Sequence, residues 1–198
     1  MGTPHDRHDR HDPYTAGNAE DAPVVRVTVR DPDRMHELGR RIAALLGPGD
    51  LVLLSGELGA GKTTLTRGLG EGLGVRGAVT SPTFVIARVH PSLTGGPALV
   101  HVDAYRLGGG LDEMEDLDLD VSLPESVVVV EWGDGKVEDL SDARLHVVIS
   151  RTVGELAGAA GSAGSGGDSG DAEDDVREVT VTGVGPRWAK EDLSSLRV

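Results

Sequence analysis

The spacing of apolar residues divides the first part of the chain into a strand, a helix and a second strand. From Val24 to Val29 apolar and polar residues alternate, which predicts a strand with one buried face. Asp31 and Pro32 then supply an N-cap and a first-turn proline, so a helix is predicted to begin there. The run Leu51 to Leu54 predicts the second strand. The predicted apolar face of the helix consists of Met35, Leu38, Ile42 and Leu45.

Two further helices and five further strands follow from the same kind of pattern. Residues Thr64 to Leu73 predict a helix, and the acid-rich stretch Leu111 to Val121 predicts another. The last two strands are predicted to pair with each other as a hairpin. This order of elements predicts an α/β sandwich around a central sheet that mixes parallel and antiparallel strands. The five strands are predicted at Phe84–Val89, Ala98–Asp103, Val127–Val130, Arg144–Arg151 and Arg177–Thr182.

The 198 residues fit one domain with additional segments outside its core. Residues 1–22 are rich in His, Asp and Arg and are predicted to form a disordered tail. The domain is predicted to span residues 23–188, with the Gly-rich stretch 154–175 as a flexible insertion in the last hairpin. Residues 189–198 are predicted to form a polar C-terminal tail.

Charge and composition restrict the partners that the chain can have. Its net charge of −14 would repel a phosphate backbone, so any connection with RNA is expected to be indirect, through a protein. The chain has no cysteine, which excludes a disulfide partner. No apolar run is long enough to span a membrane, and no signal-peptide pattern is present, so a cytoplasmic location is expected.

One motif carries recognisable chemistry, and it lies between the predicted second strand and its helix. The sequence Gly56-Glu57-Leu58-Gly59-Ala60-Gly61-Lys62-Thr63 is a complete GxxxxGK[ST] phosphate-binding loop. In that setting glycines and the N-terminus of the helix can surround a phosphate chain. Lys62 is the candidate ligand of the β- and γ-phosphates, and the Thr63 hydroxyl is the candidate Mg²⁺ ligand. The sequence therefore predicts a P-loop NTPase-like domain.

Two carboxylates follow apolar strands, at the edge where such sheets place their ligands. Asp103 ends one of these strands and Glu131 ends another. Either could hold Mg²⁺, directly or through a water, while the other orients the attacking water. For each residue, a surface acid that merely closes a strand is the structural alternative. The candidate catalytic residues are Lys62, Asp103 and Glu131.

Three other residues are candidates on less specific grounds. Thr83 lies where nucleotide switches place a threonine near Mg²⁺ and the γ-phosphate, although a plain turn would explain it equally well. Arg106 could neutralise transition-state charge or form a structural ion pair. Trp132 could stack on a base, contact a partner protein or pack in the core.

The sequence also restricts the class of nucleotide enzyme. The only asparagine, Asn18, lies upstream of the domain, so the guanine-reading Asn-Lys-x-Asp motif is absent. A small ATPase remains, and a small-molecule kinase is the alternative, supported by the Asp-x-x-Arg arrangement of Asp103 and Arg106. A third interpretation is a nucleotide-gated binding module without turnover.

Four motifs, taken together in this order, resemble the TsaE (YjeE) family of ATPases in tRNA threonylcarbamoyladenosine biosynthesis. The similarity covers roughly Val24 to Arg151, with a continuation in Val179 to Trp188. The N-terminal tail and the Gly-rich insertion depart from the pattern of the family. The motifs are the loop at 56–64, Ser81-Pro82-Thr83-Phe84, His101-Val102-Asp103-Ala104-Tyr105-Arg106-Leu107 and Val130-Glu131-Trp132.

The resemblance implies slow, partner-dependent hydrolysis of ATP with Mg²⁺, and association with TsaD and TsaB. The chain would then reset that complex between turnovers and touch tRNA only indirectly. The resemblance also implies that Thr63, Glu131 and Asp103 serve the metal, and it makes the segment Thr28 to Met35 a candidate for contact with adenine. The nucleotide-binding residues that it implies are Glu57, Leu58, Gly59, Ala60, Gly61, Lys62, Thr63, Thr64, Thr83 and Trp132.

Overall fold

The fold is built on a seven-stranded sheet in the part of the chain that the structure describes. The structure is a computed structural model and describes residues 22–80, 87–104, 122–133, 140–151 and 176–198. Short 3₁₀ helices lie at Leu123–Glu125 and Leu193–Leu196. The longer elements are β1 (Val24–Val29), α1 (Pro32–Ala43), β2 (Leu51–Gly56), α2 (Lys62–Gly72), β3 (Ala87–His90), β4 (Ala98–Asp103), β5 (Ser126–Glu131), β6 (Arg144–Arg151) and β7 (Arg177–Val184).

The strand order is β1-β7-β6-β2-β5-β4-β3. The four central strands β6, β2, β5 and β4 are parallel, whereas β3 at one side and β7 at the other are antiparallel to their neighbours. The mixed sheet and the α/β class predicted from the sequence are therefore confirmed. Because the central strands are parallel, the carboxyl ends of β2, β4, β5 and β6 lie at the same edge of the sheet.

Local sequence explains why α1 begins where it does. The side chain of Asp31 accepts a hydrogen bond of 2.8 Å from the backbone N–H of Arg34, and Pro32 occupies the first turn. This N-cap removes one of the unpaired N–H groups of the helix, a contribution of about 1 kcal/mol. The predicted face is confirmed in Met35, Leu38 and Ile42, all of which are buried.

The two helices approach each other closely because glycines form their contact. A methyl group placed on Gly68 of α2 would lie 2.0 Å from the carbonyl oxygen of His36 in α1. A methyl group on Gly39 of α1 would lie 2.2 Å from the carbonyl oxygen of Leu65. The helix backbones are therefore nearly in contact, and α2 is fixed against α1 and the sheet.

Each face of the sheet has its own apolar cluster. The helices cover the face that includes Val52, Leu54, Val127 and Val129. Alternate residues of the same strands form the second cluster on the opposite face. Strand β5 is buried at every position, as its apolar run predicts for a strand covered on both sides.

Two boundaries predicted from the sequence need correction. Residues 189–198 are not a polar tail outside the domain, because Leu193 is 3% exposed and Leu196 is 0% exposed in the main core cluster. The strand predicted at Phe84–Val89 ends one residue later than predicted, at His90, and its described part begins at Ala87 because residues 81–86 lie outside the described residues. Leu193 and Leu196 are only two apolar residues, too few to indicate a helix from the sequence. They lie on one face of a 3₁₀ turn, because residues three apart are on the same side of such a turn.

Other predictions fall on segments that the structure does not describe. These are the N-terminal tail, the acid-rich helix at 111–121 and the Gly-rich insertion at 154–175. The pairing on either side of that insertion is confirmed, because β6 and β7 form an antiparallel ladder from Arg144↔Val184 to Arg151↔Arg177. Within the described ranges, no helix has the length and apolar character needed to cross a membrane.

Candidate functional site

The glycine-rich loop joins the carboxyl end of β2 to the first residue of α2. Gly59 and Gly61 have φ angles of +77° and +111°, which side chains with a Cβ rarely adopt. Gly61 is the N-cap of α2 and supplies no side-chain hydrogen bond to its first turn. The N–H groups of that turn therefore remain available to an acceptor outside the helix, at the positive end of its dipole.

Lys62 is buried over its own loop and is surrounded by groups that interact with a cation. Its Nζ donates hydrogen bonds to the carbonyl oxygens of Gly56 at 2.7 Å and Glu57 at 3.0 Å. The same atom lies 3.8 Å from the centre of the Trp132 ring, a cation–π contact. Burial lowers the pKa of Lys62 below its ordinary value, while the charges of Glu131 and Asp103 oppose that shift.

The two candidate carboxylates are neighbours at the ends of adjacent parallel strands. Asp103 of β4 and Glu131 of β5 are paired in the strand register. Both belong to the sheet face covered by the helices, because their strand neighbours on that face, Leu99 and Val129, are in the same core cluster. Glu131 is buried, whereas Asp103 is half-buried. The register also pairs Glu131 with Leu54 of β2, the strand that leads into the loop.

Glu131 has a hydrogen-bond partner, His101, that was not among the predicted site residues. Nε2 of His101 lies 2.9 Å from Oε1 of Glu131, and the two side chains are 0% and 5% exposed. His101 lies two residues before Asp103 in β4, so both belong to the same face of the strand. The alternation of β4 was therefore a signal that could have identified His101.

Trp132 adopts a backbone conformation that is unusual for a bulky residue. Its φ angle is +62°, and it is the only residue with a side chain among the described ones that has a positive φ. Such a conformation costs about 1–3 kcal/mol and persists only where neighbouring contacts fix it. Here the backbone N–H of Trp132 donates to the carbonyl of Leu54 at 3.2 Å, and its ring faces Lys62. The ring is half-buried, so core packing alone does not describe its position.

Two arginines from the hairpin strands hold the outer side of the loop. Arg177 donates from Nε to the carbonyl of Ala60 at 2.8 Å and from Nη2 to that of Gly59 at 3.5 Å. Arg151 donates from Nη2 to the same Gly59 carbonyl at 3.2 Å. Neither arginine was among the predicted site residues, although their positions at the ends of β6 and β7 follow from the predicted hairpin.

An open groove lies between the loop and the start of α1. Its empty volume is about 320 Å³, including the open mouth. Asp31, Pro32 and Met35 line the groove on the side of α1, and Arg177 of β7 also lines it. The remaining lining residues are Gly59, Gly61 and Thr64.

The predicted site residues that the structure describes converge on this edge of the sheet. Asp103 and Glu131 end strands that neighbour each other beside β2, Lys62 contacts Trp132, and Thr63 follows Lys62 in the first turn of α2. The side chains of Glu57 and Leu58 are instead exposed, Leu58 to 88%, so only their backbone belongs to the loop wall. Thr83 and Arg106 lie outside the described residues. Within those residues, no three His, Asp or Glu side chains form a metal-binding group by themselves.

The mixed sheet and its glycine-rich strand–loop–helix unit define an α/β protein with a phosphate-loop sequence. A family model described as "Threonylcarbamoyl adenosine biosynthesis protein TsaE" matches residues 29–156. The chain therefore belongs to the TsaE family, whose role is in tRNA threonylcarbamoyladenosine biosynthesis.

Individual relatives extend over most of the chain. It is 70% identical over 162 residues to the tRNA threonylcarbamoyladenosine biosynthesis protein TsaE of Streptomyces coelicolor. The aligned region covers 82% of this chain and 99% of that relative. The protein of the same name from Bacillus subtilis is 39% identical over 167 residues, with coverage of 83% and 90%. The crystal structure of Bacillus subtilis YdiB matches with a TM-score of 0.59 at 33% identity, over 84% of this chain and 90% of YdiB.

Proposed function

We propose that this chain is a Mg²⁺-dependent ATPase that serves tRNA threonylcarbamoyladenosine biosynthesis by acting on a complex of TsaD- and TsaB-like proteins. The observation that carries the proposal is the position of Lys62, whose buried Nζ is hydrogen-bonded to the carbonyls of the loop at the sheet edge where Asp103 and Glu131 end adjacent strands. A buried lysine, paired acids and a helix N-terminus at one sheet edge are the parts that phosphoryl transfer requires.

Binding of the triphosphate would use groups that already point into the site. Phosphate oxygens would replace the carbonyls of Gly56 and Glu57 as acceptors for Lys62, and the N–H groups of the first turn of α2 would bind further oxygens. The added negative charge would also raise the depressed pKa of Lys62 and keep the ammonium protonated. The groove beside Pro32, Met35 and Arg177 supports a position for the base, as expected for the segment Thr28 to Met35.

The oxygen donors at the site fit Mg²⁺. Thr63 offers a hydroxyl, and Glu131 and Asp103 offer carboxylates, which are the hard ligands that Mg²⁺ prefers. Because few protein side chains are available, phosphate oxygens and water would complete the coordination, as is usual for this ion. When bound, Mg²⁺ would neutralise charge on the phosphates. The carboxylate that does not hold the metal would orient the attacking water.

The protein's acidic character supports an indirect link to RNA. With a net charge of −14, the chain would be repelled by tRNA, and a protein complex would hold the RNA instead. Hydrolysis would then change the state of that complex between turnovers. The chain's own residues would supply ATP binding and hydrolysis.

Gene replacement tests the proposal directly. Deletion is expected to remove threonylcarbamoyladenosine from bulk tRNA, as measured by mass spectrometry of nucleosides, and Lys62→Ala is expected not to restore it. Lys190→Ala changes an exposed lysine away from the loop and is the matched control that should restore it. Normal modification in the deletion strain would refute the proposal.

A second measurement separates the ATPase from the small-molecule kinase. The purified chain should release phosphate from ATP when TsaD- and TsaB-like proteins are added, and Lys62→Ala should not. A kinase would instead turn over ATP with one metabolite and no protein partner. A binding module would bind ATP and release no phosphate with either.

A further inference from the structure

His101 is a buried polar side chain of β4 that contacts one of the candidate site residues. Its imidazole is 0% exposed, and its Nε2 lies 2.9 Å from Oε1 of Glu131. No hydrogen-bond partner for its Nδ1 is found in the described part of the chain. Burial of an imidazole is costly unless its polar atoms are paired, so the contact with Glu131 is the compensation that the structure offers.

The chemistry of the acceptor fixes the direction of this hydrogen bond. An ionised carboxylate only accepts hydrogen bonds. Nε2 of His101 therefore carries the hydrogen and donates the hydrogen bond to Glu131. Nδ1 then presents a lone pair, which is less costly to leave unpaired in the core than an N–H would be. The bond occupies one oxygen of Glu131 and restricts rotation of the carboxylate, which leaves Oε2 for another ligand.

We propose that His101 is a positioning residue, which holds Glu131 so that its second oxygen faces the metal side of the nucleotide. This inference rests on the proposed ATPase function and assigns Glu131, rather than Asp103, as the oriented metal ligand. Two observations carry it: the two side chains are buried in contact with each other, and Glu131 ends the strand beside β2, which leads into the phosphate loop. Partners that orient metal-binding side chains typically change metal affinity or activity about 10–100-fold when removed.

Substitutions at His101 can separate the donor from the volume of the ring. Glutamine carries an N–H donor about as far from the backbone as imidazole Nε2, whereas asparagine is one methylene shorter and cannot reach Glu131. His101→Gln is therefore expected to stay within about 3-fold of the wild type, and His101→Asn to lose about 10-fold or more. His101→Leu keeps an apolar side chain of similar size and is expected to behave like His101→Asn. The Gln and Asn pair alone decides the question if the Leu variant does not fold.

Two readouts on the 198-residue chain test the role. The first is Mn²⁺ affinity in the presence of a non-hydrolysable ATP analogue, followed by electron paramagnetic resonance. The second is steady-state ATP hydrolysis with partners, where kcat should fall in the Asn and Leu variants while KM for ATP stays within about 2-fold. A merely structural histidine would lower thermal stability without producing this order of Gln above Asn and Leu in Mn²⁺ affinity.

A double variant shows whether His101 acts through Glu131. In a Glu131→Ala background the carboxylate is gone, so His101→Asn should lower Mn²⁺ affinity by less than about 2-fold. Loss in the double variant equal to the product of the two single losses would overturn the inference, as would wild-type Mn²⁺ affinity in folded His101→Asn. If the wild-type chain neither binds the analogue nor turns over ATP, the proposed function itself fails.

Discussion

The near-contact between α1 and α2 makes a specific prediction for Gly68→Ala. The added methyl carbon would lie 2.0 Å from the carbonyl oxygen of His36 and 2.9 Å from its carbonyl carbon. A normal C···O contact is about 3.3 Å or longer, so the helices would have to separate by about 1 Å. The obstacle is backbone, which cannot rotate away as a side chain could.

The expected size follows from two opposing effects. Overpacking a core typically costs about 1–3 kcal/mol, and a clash with backbone belongs to the upper part of that range. Alanine is favoured over glycine in a helix interior by about 1 kcal/mol. The net loss in the free energy of unfolding is therefore about 2 kcal/mol, which at a urea m-value of about 2 kcal/mol/M lowers the midpoint by about 1 M.

Urea unfolding followed by circular dichroism measures this loss, with Gly47→Ala as the control. A methyl group on Gly47 meets no atom within 4 Å. The free energy of unfolding of this variant should therefore equal that of the wild type or exceed it by up to about 1 kcal/mol. Equal midpoints for Gly68→Ala and Gly47→Ala would refute the reasoning. Because α2 begins at Lys62, separation of the helices should also weaken binding of the ATP analogue.

Two other substitutions test the loop contacts and the corrected C-terminus. Arg177→Ala removes hydrogen bonds to the carbonyls of Ala60 and Gly59, so affinity for the ATP analogue, measured by calorimetry, should fall about 10-fold. Leu196→Ala removes a side chain that is 0% exposed, so the free energy of unfolding should fall by about 2–5 kcal/mol in urea titrations.

Each of these substitutions has a neighbouring control. Arg151→Ala removes one longer bond to the loop and should reduce affinity less than Arg177→Ala does. Ser195→Ala changes an exposed residue beside Leu196 and should leave the unfolding midpoint unchanged. If Leu196→Ala and Ser195→Ala have the same free energy of unfolding, residues 189–198 do not belong to the core.

Elements with strong local signals were predicted well from the sequence. Alternation located β1 at Val24–Val29, and Asp31 with Pro32 located the start of α1. The motif located the loop between β2 and α2. In each of these cases the determining interactions lie within a few residues of one another, so the sequence contains them directly.

The β6–β7 pairing was predicted, whereas several side-chain contacts that depend on the order and register of the whole sheet were not. The contact of His101 with Glu131 depends on the register of β4 against β5. The hydrogen bond from Arg177 to the loop depends on the order of the seven strands. Leu196 is buried against α1 and β1. A pair of apolar residues in a short segment does not indicate that such a surface will cover them. Long-range topology therefore decides how the site is supported, whereas local sequence decides which residues compose it.

The register of the hairpin also bears on how this domain can vary during evolution. Arg151 and Arg177 are opposite each other at the end of the β6–β7 ladder, and both hold the carbonyl of Gly59. The ladder fixes the two points between which any connecting segment must run. Doubling the length of such a connection costs only about 0.6 kcal/mol of closure entropy. The sequence between these two arginines can therefore change in length at little cost to the position of the phosphate loop.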